Sequence, residues 1–213
     1  MQNHMPYNDW YIDNQFKAAD ISQLSDGEKY AIDTYTKGIS ITDQATADFL
    51  NQLNQIDKPI TVIFYGDHLP SIYPTAASDP DNTLSLHETD YFIWSNQASP
   101  SAGTKLDEQS NAYASSNMFM SMAAEHMNAK VSPYLSLLTK LHDVTPALSR
   151  LVLGAGGFGN DTSTTYLDVN GNQIAQQDLS EQAKQLLNDY RLVQYDMTAG
   201  KGYLNDTDFF AVP

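Results

Sequence analysis

The run Thr61-Val62-Ile63-Phe64-Tyr65 has no polar face. Five consecutive β-branched or aromatic residues suit a strand covered on both sides, the pattern of a parallel strand inside an α/β sheet. The run stops at Gly66, and Asp67-His68-Leu69-Pro70 follow at once. In open α/β sheets, ligands sit in the crevice beyond the carboxyl ends of the strands. A carboxylate and an imidazole delivered together at that point offer oxygen and nitrogen donors to a divalent metal ion. An isolated Gly-Asp-His reads equally as a turn aspartate beside a surface histidine. The strand before it and the segments around it favour the metal site.

Composition narrows the function classes. At 213 residues the chain can form one domain with a sizeable core, and a hydrophobic content of 41% fits a globular protein. The net charge of -15 argues against a surface for nucleic acid or anionic membrane. It does not exclude an anionic substrate, because a bound metal inverts the local potential. The absence of cysteine rules out disulfides, thiolate metal sites and a cysteine nucleophile. No apolar run approaches the ~18 residues that span a bilayer, and residues 1–20 lack a signal-peptide core.

Along the chain, the first twenty-odd residues read as loop. Ser25-Asp26-Gly27-Glu28 is a capping box that opens a helix running to about Asn54, with Gly38 able to split it. Asp43 is read as starting a segment Thr42–Gln55, where its charge favours the helix dipole. Residues 70–88 read as a long polar loop, Tyr91–Trp94 as a second strand, and 95–110 as loop. Asn117 to Ala129 reads as a helix whose Met118, Met122 and Met127 form plastic core. Pro133–Leu141 and Pro146–Leu151 read as short helices or turns. Gly154-Ala155-Gly156-Gly157-Phe158-Gly159 matches the dinucleotide fingerprint in letters only, since no helix start and no βαβ unit surround it. Asn170-Gly171 between two short runs predicts a hairpin with a type I′ turn. Asp178-Leu179-Ser180-Glu181 caps a last amphipathic helix.

Several of these segments, in order, carry a family resemblance. Asn3-His4-Met5-Pro6-Tyr7, the helix segment with Phe49, Leu50 and Leu53, the run Lys58–Thr61 into Gly66-Asp67-His68-Leu69-Pro70, and Thr89-Asp90-Tyr91-Phe92-Ile93-Trp94-Ser95-Asn96 resemble the late catalytic region of lipoteichoic acid synthase-like phosphoglycerol transferases. These belong to the sulfatase branch of the alkaline-phosphatase superfamily. The resemblance covers roughly residues 1–150 and more loosely the tail, where Tyr190-Arg191-Leu192 and Gln194-Tyr195-Asp196 recur. It implies an α/β, alkaline-phosphatase/sulfatase-like sandwich, present as a partial domain. The expected architecture is a central, mostly parallel sheet flanked by helices, plus a carboxyl-terminal hairpin and helix. Residues 1–213 form one such partial domain, with 1–153 as its core part and 154–213 as an extension.

The resemblance also assigns roles. Asp67 and His68 would hold a divalent metal, manganese in this family, with magnesium or zinc as alternatives. His4 would contact the substrate head group. The family's Thr nucleophile, a further acidic ligand and the transmembrane helices all lie upstream of the segment matched by Asn3. The chain is therefore read as the carboxyl-terminal half of a catalytic domain from a membrane-anchored protein on the extracytoplasmic face, and inactive alone. The implied chemistry is double displacement, in which a phosphoglyceryl group passes from a phosphatidylglycerol-like lipid to a glycerophosphate polymer acceptor in lipoteichoic acid synthesis. A sulfatase, phosphodiesterase or phosphoethanolamine transferase of the same superfamily is the nearest alternative. A non-catalytic module that binds a glycan or protein through loops 70–88 and 95–112 is another.

The remaining histidines carry less. His87, 19 residues after His68, fits a loop role better than a ligand role. His126 and His142 sit in or beside helical segments and read as surface or capping residues. Arg150 and Arg191, the two arginines of the chain, are assigned to no site.

Overall fold

The computed structural model describes residue 11 and residues 13–18, 23–149 and 164–213. The Gly154–Gly159 run and Arg150 lie outside the described residues. The chain is mixed α/β and divides into two compact units. One takes in Met1–Ile60 and Phe64–Phe92, the other Thr61–Ile63 and Ile93–Pro213.

The first unit is organised by α1 (Asp26–Leu53), a helix of 28 residues. Its start is the capping box read from the sequence. The Ser25 hydroxyl accepts from the Glu28 amide at 3.2 Å, and the Glu28 carboxylate accepts from the Ser25 amide at 3.1 Å. The helix runs unbroken through Gly38, so the expected split does not occur and Asp43 lies mid-helix rather than at a start. An interior glycine costs only about 1 kcal/mol, too little to divide a long helix with a fixed amino end.

Residues 70–88 hold more structure than a loop. They contain α2 (Pro74–Ala77) and single 3-10 turns at Pro80–Asn82 and Ser85–His87. Pro74 and Pro80 each stand in the first turn, where a fixed φ and a missing N–H suit a helix start. Glu28 joins the two helices of this unit. Its carboxylate accepts from the Thr75 amide at 2.9 Å and from the Thr75 hydroxyl at 2.8 Å. These bonds, the Thr75 amide first, hold the Glu28 carboxyl down to about 2.

β1 (Thr61–Tyr65) forms a two-stranded sheet with β2 (Tyr91–Ser95). Phe64 stacks on Phe92 with ring centroids 4.8 Å apart, and the Gly66 amide donates to the Asp90 carbonyl at 3.1 Å. Numbers rise along one strand as they fall along the other, so the pair is antiparallel. Phe64 is 37% and Tyr65 50% exposed. The expected central, mostly parallel strand, covered on both faces, is thus corrected. An apolar run says what its faces tolerate; it carries no information on the direction or number of its partners.

The second unit contains a three-stranded antiparallel sheet. β3 (Ala147–Ser149) pairs with β4 (Thr165–Leu167), Leu148 opposite Tyr166, and β4 pairs with β5 (Gln173–Ile174), Tyr166 opposite Ile174. Ala147–Ser149 is therefore a strand where Pro146–Leu151 was expected as a helix or turn. The β4–β5 hairpin is present, but its turn is not type I′. Gly171 has φ +79 while Asn170 is not among the positive-φ residues. The Gly171 amide instead closes on the Asp168 carbonyl at 3.1 Å, and the Asp168 side chain accepts from the Asn170 and Asn172 amides, each at 2.8 Å. An aspartate one residue before the turn can bond the loop amides itself, and that local chemistry overrides the Asn-Gly preference.

Helices α3 (Phe119–His126), α4 (Pro133–Val144) and α5 (Glu181–Thr198) supply this unit's core, with α4 packed against both others. Met118, Met122, Leu138, Leu141, Tyr166, Ala183 and Leu187 are buried. Two of the three methionines are core, whereas Met127 is 40% exposed.

His126 and His142 are buried, not surface residues. His126 Nε2 lies 2.9 Å from the Ser95 hydroxyl, which lies 2.8 Å from the Thr61 hydroxyl. Burial pushes both imidazoles below their ordinary range. The unfolded chain protonates histidine near pH 6.5, while the fold resists. Stability is therefore complete above that pH and falls as pH drops below it. Glu28 acts lower. Its stabilisation is present above the ordinary carboxyl value of 4.5 and is lost as pH falls toward about 2.

Thermal unfolding should accordingly show a midpoint that drops between pH 7.5 and pH 5.5, with a smaller drop in His126→Gln. Glu28→Gln should unfold below wild type at pH 7, and the difference should shrink as pH approaches about 2. A difference constant over that range would mean that charge adds nothing to these contacts. Leu141→Ala, at a position 0% exposed, should cost about 2–5 kcal/mol in denaturant titration.

Candidate functional site

The segment after β1 is held from both ends. At Gly66 the carbonyl accepts from the Thr89 hydroxyl at 2.7 Å, and the amide donates to Asp90. A Cβ on Gly66 would lie 2.9 Å from Thr89 Cβ and 3.2 Å from its Cγ2. Glycine is needed here for close approach, not for a left-handed φ, which Gly66 does not have. Beyond the pair, Pro70 is buried, and its carbonyl accepts from the amide of the buried Ile72 at 2.9 Å.

Between these anchors Asp67 and His68 stand in solvent, their side chains 83% and 60% exposed. Asp67 Oδ2 and His68 Nε2 are 3.8 Å apart. His68 Nδ1 lies 3.0 Å from the Leu69 carbonyl. Donation from Nδ1–H to that carbonyl selects the tautomer whose lone pair sits on Nε2, on the side of the carboxylate. Metal bonds of about 2.0–2.2 Å to each donor sum to more than this separation, so one divalent ion can reach both. The two side chains fit as a pair of ligands. Among the described residues, no group of three or more His, Cys, Asp or Glu is gathered around an ion-sized space.

Other residues singled out by the sequence fall elsewhere. His4 lies outside the described residues. His87 Nδ1 is 2.7 Å from the carbonyl of Thr83, four residues before it. Arg191 donates to the Tyr166 hydroxyl at 2.8 Å. The residue that sequence reading missed is Thr89, whose contact with Gly66 joins positions 23 apart. No local pattern marks such a contact.

A cavity of about 860 Å³ opens in the second unit, lined by Leu137, Leu192, Val193, Tyr203, Leu204 and Phe209 among others. Its Asp196 carboxylate is already engaged by the Tyr203 and Leu204 amides at 3.0 and 2.9 Å. Asp67 and His68 remain the adjacent pair of side chains that could donate to one ion.

Comparison with known proteins bears on the family and the fold. The sulfatase family profile matches residues 1–129. The fold is similar to that of Streptococcus pyogenes phosphoglycerol transferase GacH, solved in complex with sn-glycerol-1-phosphate. The TM-score is 0.71 at 32% identity, over 100% of this chain and 46% of that one. A Rhizobium meliloti (strain 1021) protein named for cyclic beta-1,2-glucan modification is 24% identical over 223 residues, 98% of this chain and 32% of the relative. Capsular polysaccharide biosynthesis protein RkpI of the same strain is 36% identical over 62 residues, 29% of this chain and 11% of that protein. The chain spans about a third or less of the curated relatives it matches. An α/β protein with the phosphoglycerol-transferase type of fold, it belongs to the sulfatase family.

Gly66→Ala should destabilise the protein by about 1–3 kcal/mol, the cost of forcing a methyl into a packed contact. It should also move the amide resonances of Asp67 and His68. Gly27→Ala is the control, since its Cβ would meet nothing nearer than 4.0 Å. Equal stability of the two variants would show that Thr89 yields freely.

Proposed function

We propose that this chain contributes the metal-binding turn of a phosphoglycerol transferase, with Asp67 and His68 as two ligands of a divalent ion, manganese first among candidates. The observation that carries the reading is the likeness to the solved phosphoglycerol transferase over 100% of this chain at a TM-score of 0.71. The exposed Asp67–His68 pair at the end of β1 supports it. When bound, such an ion supplies positive charge to phosphoryl oxygens and to an alkoxide. The chain's own part is to hold the carboxylate and Nε2 toward one point. His4, from its family-like segment, is proposed to orient the phosphoglycerol head group.

The chain spans 46% of the solved transferase's chain, so the activity is assigned to a whole protein in which these 213 residues are part of a single sulfatase-like domain. Its donor is proposed to be a phosphatidylglycerol-like lipid at the extracytoplasmic face of a membrane. Among the described residues no helix is long and apolar enough to cross one. The acceptor is proposed to be a cell-envelope polymer. A glycan is favoured over a lipoteichoic acid chain, because the curated relatives are named for glucan modification and capsular polysaccharide biosynthesis.

Calorimetric titration of the chain with manganese should show weak binding that is lost in Asp67→Asn and in His68→Gln. Identical titrations for wild type and Asp67→Asn would overturn the ligand assignment. The chain alone should not turn over a chromogenic phosphodiester or an aryl sulfate. Phosphodiester turnover that disappears in Asp67→Asn would mean that these residues already form a complete site, and aryl sulfate turnover would favour a sulfatase.

A further inference from the structure

We propose that Thr89 is a positioning residue for the Asp67–His68 pair. The proposal rests on the ligand assignment above and extends it to a residue outside the Gly-Asp-His turn. The Thr89 hydroxyl donates to the Gly66 carbonyl at 2.7 Å. That carbonyl shares a rigid peptide plane with the Asp67 amide. Fixing the carbonyl direction therefore fixes the plane from which Asp67 departs, leaving the Asp67 φ as the one backbone torsion between that plane and its Cα–Cβ bond.

The contact is steric as well as polar. Thr89 Cβ, Cγ2 and Oγ1 would stand 2.9, 3.2 and 3.4 Å from a Cβ on Gly66, so the whole side chain lies against the glycine. The Gly66 amide is tied to Asp90 at 3.1 Å. Both polar groups of the residue just before the ligands are thus held by two consecutive residues leading into β2. On the other side, the ring of Pro70 fixes its own φ. Asp67 and His68 are exposed. The backbone at each end contributes to their mutual direction, and Thr89 holds one of those ends.

The test separates hydroxyl from bulk. Thr89→Val keeps the branched shape and loses the donor; Thr89→Ser keeps the donor and loses the methyl. Two readouts are taken on the complete chain. Without metal, backbone amide resonances of residues 66–69 should shift in Thr89→Val and stay near wild type in Thr89→Ser. With manganese chloride alone, paramagnetic broadening of the His68 ring signals should report affinity about tenfold weaker in Thr89→Val, the lower end of what outer-shell changes at metal sites produce. Thr89→Ser should restore it. Should Thr89→Val fail to fold, Thr89→Ala replaces it with the same expectations.

A Thr89→Val protein whose metal-free resonances and manganese response match wild type would overturn the proposal. So would a Thr89→Ser protein as impaired as the valine variant, since the hydroxyl would then not be the positioning group. If wild type shows no manganese broadening at all, the ligand assignment fails. The metal-free resonances then decide the Thr89 contact by themselves, a shift confined to 66–69 upholding it and no shift refuting it.

Discussion

At Gly66 the backbone comes so close to Thr89 that no Cβ fits between them, and the Asp67–His68 pair hangs from that contact. Close approach of this kind is a steric constraint, not a source of much energy. It favours glycine at position 66 and brings the Thr89 hydroxyl within 2.7 Å of the carbonyl it bonds. The Asp67 and His68 side chains that follow are exposed, so the chain that delivers them contributes to their geometry. A buried pair could be oriented by packing on every side. An exposed pair depends on its tether.

Elsewhere the fold uses buried polar groups as joints, each satisfied by partners distant in sequence. Glu28 bonds Ser25 in its own helix start and Thr75, 47 residues on. An isolated capping box stabilises a single helix end. Here the same carboxylate also engages the amide and hydroxyl of Thr75, so two helices of one unit share an anion. His126 and Ser95 form a comparable joint 31 residues apart, with a neutral imidazole in place of a charge. Both depend on protonation state, in opposite directions: the carboxylate must stay charged and the imidazole must stay neutral. The fold is consequently best held near neutral pH.

The legible parts of the structure are those governed by short-range chemistry. The Ser25–Glu28 capping box, the helix opening at Ser180, the strands at Thr61–Tyr65 and Tyr91–Ser95 and the hairpin around Asn170-Gly171 were all readable, because each signal spans only a few residues. Longer-range packing decides the rest. Gly38 does not break a long capped helix, and Asp43 lies in its middle, where no helix starts. His126 and His142 looked like surface residues because histidine suits either environment, and their burial was settled by what α3 and α4 pack against. The type I′ turn was displaced by Asp168, whose side chain offers the loop amides a partner that a dipeptide rule does not count.

What the sequence by itself determined is the family and the candidate locus: an apolar strand that ends in Gly-Asp-His, within a stretch that matches the sulfatase family. Side-chain type and sequence order suffice for that, since oxygen and nitrogen donors can be recognised whatever surrounds them. What only the tertiary structure decided is how the pair is held. That β1 runs antiparallel to β2, that Phe64 and Tyr65 meet solvent, and that Thr89 rather than any neighbour of Asp67 bonds the preceding carbonyl are facts about distant segments brought together. Their interaction energies exist only once the chain has closed, so no local reading of residues 61–70 contains them.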